Sequence, residues 1–297
     1  MSQEEAWQDW CKAKNQAARE LINQPPVRLR ALCVPAPEAE AELARRCELM
    51  NYALYEVAEE DSSVDAASDS VIAFARRFGL EVREDHRSAG HAGVVALRTS
   101  AEESKQGYIP YTTRPLNWHT DGYYNAPDDR VEGFILHCHR QALAGGENQL
   151  LDHEIAYMRL REENPDYIRA MMHPEAMVIP ENVEKDGSVR PASVGPVFFP
   201  DPATGRMQMR YTARTRSIEW RDDKTTLAAV AALRDILGAN DPLMQQVRMK
   251  SGQGMLNNNV LHNRTRFEDG QADGDTRVML RVRFHVRVAK EELDGAA

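Results

Sequence analysis

Hydrophobic and polar positions recur along the chain with two periods, and each period marks a class of element. Trp7, Trp10, Cys11, Ala17, Ala18, Leu21 and Ile22 fall on one side of a 3.6-residue repeat, which predicts a helix over 1–23 that Gln24-Pro25-Pro26 stops. A second, acidic helix is expected over 38–49, and further helices over 155–161, 167–172 and 224–237. Val71, Ile72, Phe74 and Ala75 mark another, with Asp69 or Ser70 as its cap and Gly79 closing it. The alternating stretches 52–57, 93–98 and 134–139 read as strands. Between 176 and 220 the pattern is irregular and β-rich, ending in a stretch 207–216 that would put Arg210, Arg214 and Arg216 on one strand face. Gly252-Gln-Gly254 reads as a turn that feeds the strand carrying His262.

The last strand, 277–285, separates its faces most clearly. Val278, Leu280, Val282 and Phe284 form an apolar row, while Arg277, Met279, Arg281 and Arg283 form the other. Such a strand suits a surface sheet, or a barrel that packs on helices outside and carries a polar site within. Guanidinium groups inside would suit a carboxylate, which they hold through two parallel hydrogen bonds.

Composition narrows the classes. The 297 residues fit one large domain with an N-terminal helical segment over 1–50. A net charge of −9 argues against a nucleic-acid partner, which needs a basic stripe. No run approaches the roughly 20 apolar residues of a membrane span, and the start Met-Ser-Gln-Glu-Glu-Ala-Trp lacks the features of a signal peptide. Cys11, Cys33, Cys47 and Cys138 are scattered without a Cys-x-x-Cys pair, as packing cysteines are. A cytoplasmic protein is expected, acting on a small molecule, with the N-terminal helix free to pack on its own barrel or in a homodimer.

The candidate chemistry centres on Trp118-His119-Thr-Asp121-Gly122. Positions i and i+2 of a strand face the same side, so His119 and Asp121 can converge on one metal ion. A third ligand is required, and His262 is the best candidate; two histidines and a carboxylate form the triad of non-haem Fe(II) oxygenases. His173-Pro-Glu175 is a rival pair whose proline suggests a turn, and His137 and His139 share a strand face as a competing metal pair. Tyr108, Tyr111, Trp118, Tyr123 and Tyr124 crowd into seventeen positions, as core aromatics or as a substrate pocket. Ala144-Gly-Gly-Glu-Asn148 reads as a tight turn that lets backbone approach another group closely. His86 and His91 have no partner in view.

Four stretches together resemble the TauD/TfdA-like dioxygenases. They are Trp118-His119-Thr-Asp121-Gly122, Gly145-Gly146-Glu147-Asn148, Asn259-Val-Leu-His262-Asn-Arg264 and Arg277-Val-Met-Leu-Arg281, in the family's order and spanning about residues 50–288. The resemblance implies a mainly β chain with flanking helices and a double-stranded β-helix (jelly-roll) core, over 51–290. It implies Fe(II) held by His119, Asp121 and His262, with 2-oxoglutarate and O2 as co-substrates, and release of succinate and CO2. Arg277 would pair with the distal carboxylate of 2-oxoglutarate; Asn148 stands where relatives place a threonine against that carboxylate; and Arg281 would touch substrate or support the co-substrate. The expected substrate is a small charged metabolite, with a zwitterion ranked first, its anion met by Arg210, Arg214 and Arg281 and its cation boxed by Tyr108, Tyr111, Trp118 and Tyr123. Hydroxylation of an unactivated C–H bond is the expected reaction. The alternatives are a jelly-roll metal hydrolase or isomerase built on His137 and His139, and a non-catalytic anion-binding module.

Overall fold

The computed structural model describes residues 2–84, 89–100, 108–183, 187–202, 204–270 and 274–289, so His86 lies outside the described residues. Two sheets carry the fold. The larger runs Val27–Leu29, Tyr52–Val57, Gln253–Asn257, Gly133–Arg140, Val278–Phe284 and Val95–Leu97, in that spatial order. The smaller runs Gln245–Val247, Asn148–Leu151, Leu261–Arg264 and Leu116–His119. Leu54, Phe134, Leu136, Met255 and Met279 of the larger sheet share one core with Leu150, Leu151 and Leu261 of the smaller, so the sheets pack face to face as a jelly roll.

The period-2 reading of the last strand holds. Val278, Leu280, Val282 and Phe284 enter a second core, with Val71, Phe74 and Phe78 on one side and Leu43 and Cys47 on another. Those residues come from or just follow the helices Val64–Arg76 and Pro37–Met50, which cover the larger sheet from outside. Met279 turns into the inter-sheet core, and the interleaved Arg281 and Arg283 face the same way.

The N-terminal helix Gln3–Leu21 is fastened to the barrel by charge as well as apolar contact. Buried Lys14 Nζ lies 2.5 Å from Asp152 Oδ2, pairs with Glu154 and donates to the Leu49 carbonyl at 2.8 Å. Residues 1–50 also supply Val27–Leu29, which pairs parallel with Tyr52–Val57 in the larger sheet. Among the described residues, no helix is long and apolar enough to cross a membrane.

Three expectations are corrected. The helix Val64–Arg76 begins earlier than expected, because the Ser63 hydroxyl, not Asp69 or Ser70, accepts from the Ala66 N–H at 3.1 Å. The stretch 207–216 is not one strand. Met207–Met209 pairs with Phe198–Pro200, and the chain then changes partner, with Tyr211 and Ala213 bonding to Thr120 and Trp118. Finally, Gln253–Asn257 and the His262 strand are separate: the Asn258–Val260 connection carries the chain from one sheet to the other.

Candidate metal centre

His119 ends the strand Leu116–His119 and is the register partner of His262 in the neighbouring antiparallel strand. Directly opposed residues project to the same face, and the two imidazole centroids lie 4.2 Å apart. Phe134, across the core, packs 5.1 Å from the His262 ring, so both histidines face between the sheets.

Asp121 gets there differently from the expected i, i+2 strand geometry. The strand stops at His119, and Asp121 opens a turn. Gly122 follows at φ +64°, where a Cβ would lie 2.5 Å from Val131 Cγ2. The turn is pinned by Asn259, whose Oδ1 accepts from the Asp121 N–H at 2.7 Å and whose Nδ2 donates to the Asp121 carbonyl at 3.0 Å and the Val131 carbonyl at 2.6 Å. The outcome is convergence: one ligand atom each from His119, Asp121 and His262 lies within 4.8 Å of the others, and all three residues are buried.

The electrostatics suit a cation. His119 Nδ1 donates to the Asn117 carbonyl and His262 Nδ1 to the Val260 carbonyl, each at 2.9 Å. A carbonyl only accepts, so each Nδ1 carries the proton and each Nε2 presents a lone pair. Burial, then the neighbouring His262, pushes the His119 pKa down to about 3, and burial lowers that of His262 as well. Both imidazoles are therefore neutral at pH 7. Burial alone would raise the Asp121 pKa, but the charges of Arg281 and Arg283 outweigh it and hold the carboxyl well below its usual range. Arg281 Nη1 lies 3.3 Å from Asp121 Oδ1, while Asp121 Oδ2 is buried with no hydrogen-bond partner. A buried, ionised oxygen without a donor is costly. The carboxylate's other oxygen, Oδ1, lies 3.7 Å from His119 Nε2, and a carboxylate with two imidazole lone pairs is a donor set that a divalent first-row metal satisfies.

The remaining candidates sort by position. Arg277 is buried, its guanidinium 4.9 Å from the Phe267 centroid; Asp269 Oδ1 accepts its backbone N–H at 2.8 Å, and among the described residues no carboxylate makes an ion pair with the guanidinium itself. Gly146 lies beside it, and Asn148, also buried, donates to the Gly146 carbonyl at 3.3 Å. Arg281 meets Asp121, as given above. Tyr123 stands edge-on to His119 at 6.5 Å. Exposed Arg214 and half-buried Arg190 both act on the Tyr123 hydroxyl electrostatically.

The other candidates lie as follows. Strand alternation turns Trp118 to the face opposite His119. Tyr111 is buried in the inter-sheet core and Tyr108 packs against it. Arg210 is buried with its guanidinium on Ser193 Oγ at 2.8 Å and the Met177 carbonyl at 2.6 Å, so it fastens loops rather than facing an open pocket. His137 lies on the outer face of the larger sheet, its Nδ1 3.2 Å from the Tyr55 hydroxyl. Among the described residues, His137 and His139 join no cluster of three metal-ligating side chains.

Sequence reasoning named Asn259 within a motif but missed its hold on the Asp121 turn, and missed the brace behind that turn. Arg283 pairs with Glu84 and donates to the Tyr124 hydroxyl at 3.1 Å, and Glu84 Oε1 accepts from Asn125 at 2.7 Å. The run Asn257-Asn258-Asn259 before the candidate ligand His262 was the available signal. Arg190 gave none, because nothing local places it near Tyr124.

The family model for the taurine catabolism dioxygenase TauD, TfdA family matches residues 62–283. The chain belongs to this family, whose members are Fe(II)/2-oxoglutarate-dependent dioxygenases that use O2. A curated relative, the uridine-5'-phosphate dioxygenase of Amycolatopsis sp, is 28% identical over 178 residues, covering 58% of this chain and 62% of the relative. The asparagine oxygenase solved with Fe(II), 3-hydroxyasparagine and succinate superposes with a TM-score of 0.63 at 14% identity, over 96% of this chain and 92% of that one. The non-heme iron oxygenase OrfP, solved with Fe, succinate and dihydroxy-L-Arg, gives 0.64 at 16% identity, over the same shares. PvcB from Pseudomonas aeruginosa gives 0.55 at 16% identity, over 83% and 80%. These likenesses bear on the fold.

Proposed function

We propose that the chain hydroxylates a C–H bond of a small charged metabolite, with Fe(II) held by His119, Asp121 and His262 and 2-oxoglutarate held by Arg277. The observation that carries this reading is the buried convergence of Asp121, one of whose oxygens has no hydrogen-bond partner, with two imidazoles whose Nδ1 protons are already committed. Bound iron supplies the oxidation, in which substrate, 2-oxoglutarate and O2 yield hydroxylated substrate, succinate and CO2.

The chain's own part is to bind and orient. Arg277, buried and with no carboxylate ion-paired to its guanidinium among the described residues, takes the distal carboxylate of 2-oxoglutarate, with Asn148 alongside as a second donor. Arg281 holds Asp121 ionised and fixes one of its oxygens. Phe134 covers the His262 ring and keeps water from that side of the centre.

With Trp118 on the strand face opposite His119, the aromatic group nearest the centre is Tyr123 with Tyr124, whose rings lie 5.2 Å apart. The anionic end of the substrate is therefore the principal handle, met by Arg214 with Arg190 behind it. Relatives with a phosphate-bearing substrate or amino-acid products fit a small charged substrate.

The test is anaerobic titration of metal-free protein with Fe(II) and then 2-oxoglutarate, beside an Asp121→Ala control. A weak visible charge-transfer band that needs protein, metal and co-substrate, and is lost in the control, is the expected result. Folded protein that gives no band would sink the reading. If the band forms, screening small zwitterions and phosphate esters for succinate release and a product one oxygen heavier identifies the substrate.

A further inference from the structure

We infer that Asn259 is a positioning residue for the metal carboxylate, clamping the Asp121 turn to the strand that carries His262. This rests on the reading of Asp121 as a ligand, and it explains how a carboxylate outside any strand is held in place. Asn259 is buried and lies three residues before His262, in the connection that crosses from one sheet to the other. Its carboxamide spends its acceptor and both donor hydrogens on the turn: Asp121 N–H at 2.7 Å, Asp121 C=O at 3.0 Å and Val131 C=O at 2.6 Å. Reversing the amide would set its oxygen against two carbonyls and its NH2 against an N–H, so the orientation is fixed by the partners.

Its neighbours free it for this task. Asn257 Oδ1 accepts from the Val260 N–H and Asn258 Oδ1 from the Val288 N–H, each at 2.8 Å, so those two asparagines hold the connection itself. Asn259 sits at φ +55°, a conformation that asparagine tolerates better than most side chains. The clamp thus joins segments 138 residues apart in sequence, the Asp121 turn and the approach to His262. With Arg281 on Oδ1, the carboxylate is fixed at both its backbone and its head. Supporting groups of this kind are worth about 10–100-fold in metal affinity.

Asn259→Gly is the informative variant, since glycine keeps the left-handed backbone without strain and removes only the clamp. Metal-free full-length protein is titrated anaerobically with Fe(II), and separately with Mn(II), while thermal unfolding is recorded on the same samples. Asn263→Ala is the control for general loosening, because Asn263, in the strand Leu261–Arg264, makes a similar clamp on Gln149. Asn259→Gly should weaken metal binding at least tenfold, while Asn263→Ala lowers the melting temperature and leaves metal affinity within twofold. If Asn259→Gly does not fold, Asn259→Asp, which keeps the acceptor and loses the donors, carries the same expectation. Metal affinity within twofold of wild type in the folded Asn259 variant, with Asp121→Ala losing the metal, overturns the clamp alone. Unchanged affinity in Asp121→Ala as well would instead remove the metal reading on which it stands.

Discussion

Arg264 and Arg277 both lie over the Phe267 ring, at 4.7 and 4.9 Å from its centroid, and among the described residues neither guanidinium has an ion-paired carboxylate. Burial pushes the Arg264 pKa down to about 9, with Arg277 adding to the effect, and burial also lowers that of Arg277. Asp269 acts on both guanidinium groups electrostatically without pairing directly with either, and buried cations so incompletely compensated destabilise a fold. They are retained where a ligand anion supplies the missing charge, which 2-oxoglutarate would do. Arg277→Gln should therefore have two effects of opposite sign. The 2-oxoglutarate concentration needed for half-maximal band formation should rise at least tenfold. The metal-free protein should unfold no earlier than wild type, because a buried charge with no directly paired carboxylate has been removed. Thermal melts with and without the co-substrate check both, since 2-oxoglutarate should raise the wild-type midpoint by mass action and leave that of the variant nearly unmoved. A variant still stabilised by 2-oxoglutarate to the wild-type degree would place the carboxylate on another residue.

At the scale of elements, the turn 144–148 shows what a short motif does. Gly145 has φ +70°, pairs with Phe267 across a two-residue ladder, and a Cβ there would lie 2.3 Å from the Arg266 carbonyl. Gly145→Ala should cost more than about 2 kcal/mol, combining left-handed strain with a backbone clash. Because the displaced ladder carries Phe267, the same variant should weaken 2-oxoglutarate binding while leaving Fe(II) binding nearly intact. Calorimetry with separate titrations would expose a wrong assignment of this turn if both bindings fell equally. The turn was legible because glycines announce it, and the final strand because its period-2 pattern has only one apolar face. Element ends were less legible, where several capping residues compete locally or where partners remote in sequence decide. Ser63 won the cap from Asp69 by bonding Ala66, and 207–216 broke because Tyr211 and Ala213 find partners at Thr120 and Trp118. The triad was readable from spacing and order, yet the reason offered for Asp121 was wrong in kind. A turn and a distant asparagine bring it round, and no periodicity encodes that.

On the scale of the whole molecule, buried histidines set the acid limit of the fold. His137 has its pKa pushed down to about 4 by burial and then by His139, and burial lowers that of His153, whose Nε2 donates to the Met207 carbonyl at 2.8 Å. Neither is near the metal centre: one lies on the outer face of the larger sheet, the other opens the helix His153–Glu163. In the unfolded chain both imidazoles would titrate near 6.5. Between that value and the folded pKa the unfolded state binds more protons, so stability rises with pH across the window and is lost as pH falls through it. The contribution is fully present above about 6.5 and for His137 is exhausted near 4. Urea midpoints of metal-free protein should therefore fall steadily from pH 6.5 to about 5.5, above the range in which most carboxylates protonate. His137→Gln should flatten that slope while lowering the midpoint at pH 7, because the Tyr55 hydroxyl loses its partner. Midpoints that stayed level over the window would mean that these imidazoles take up protons in the folded state, and so are neither dry nor fixed.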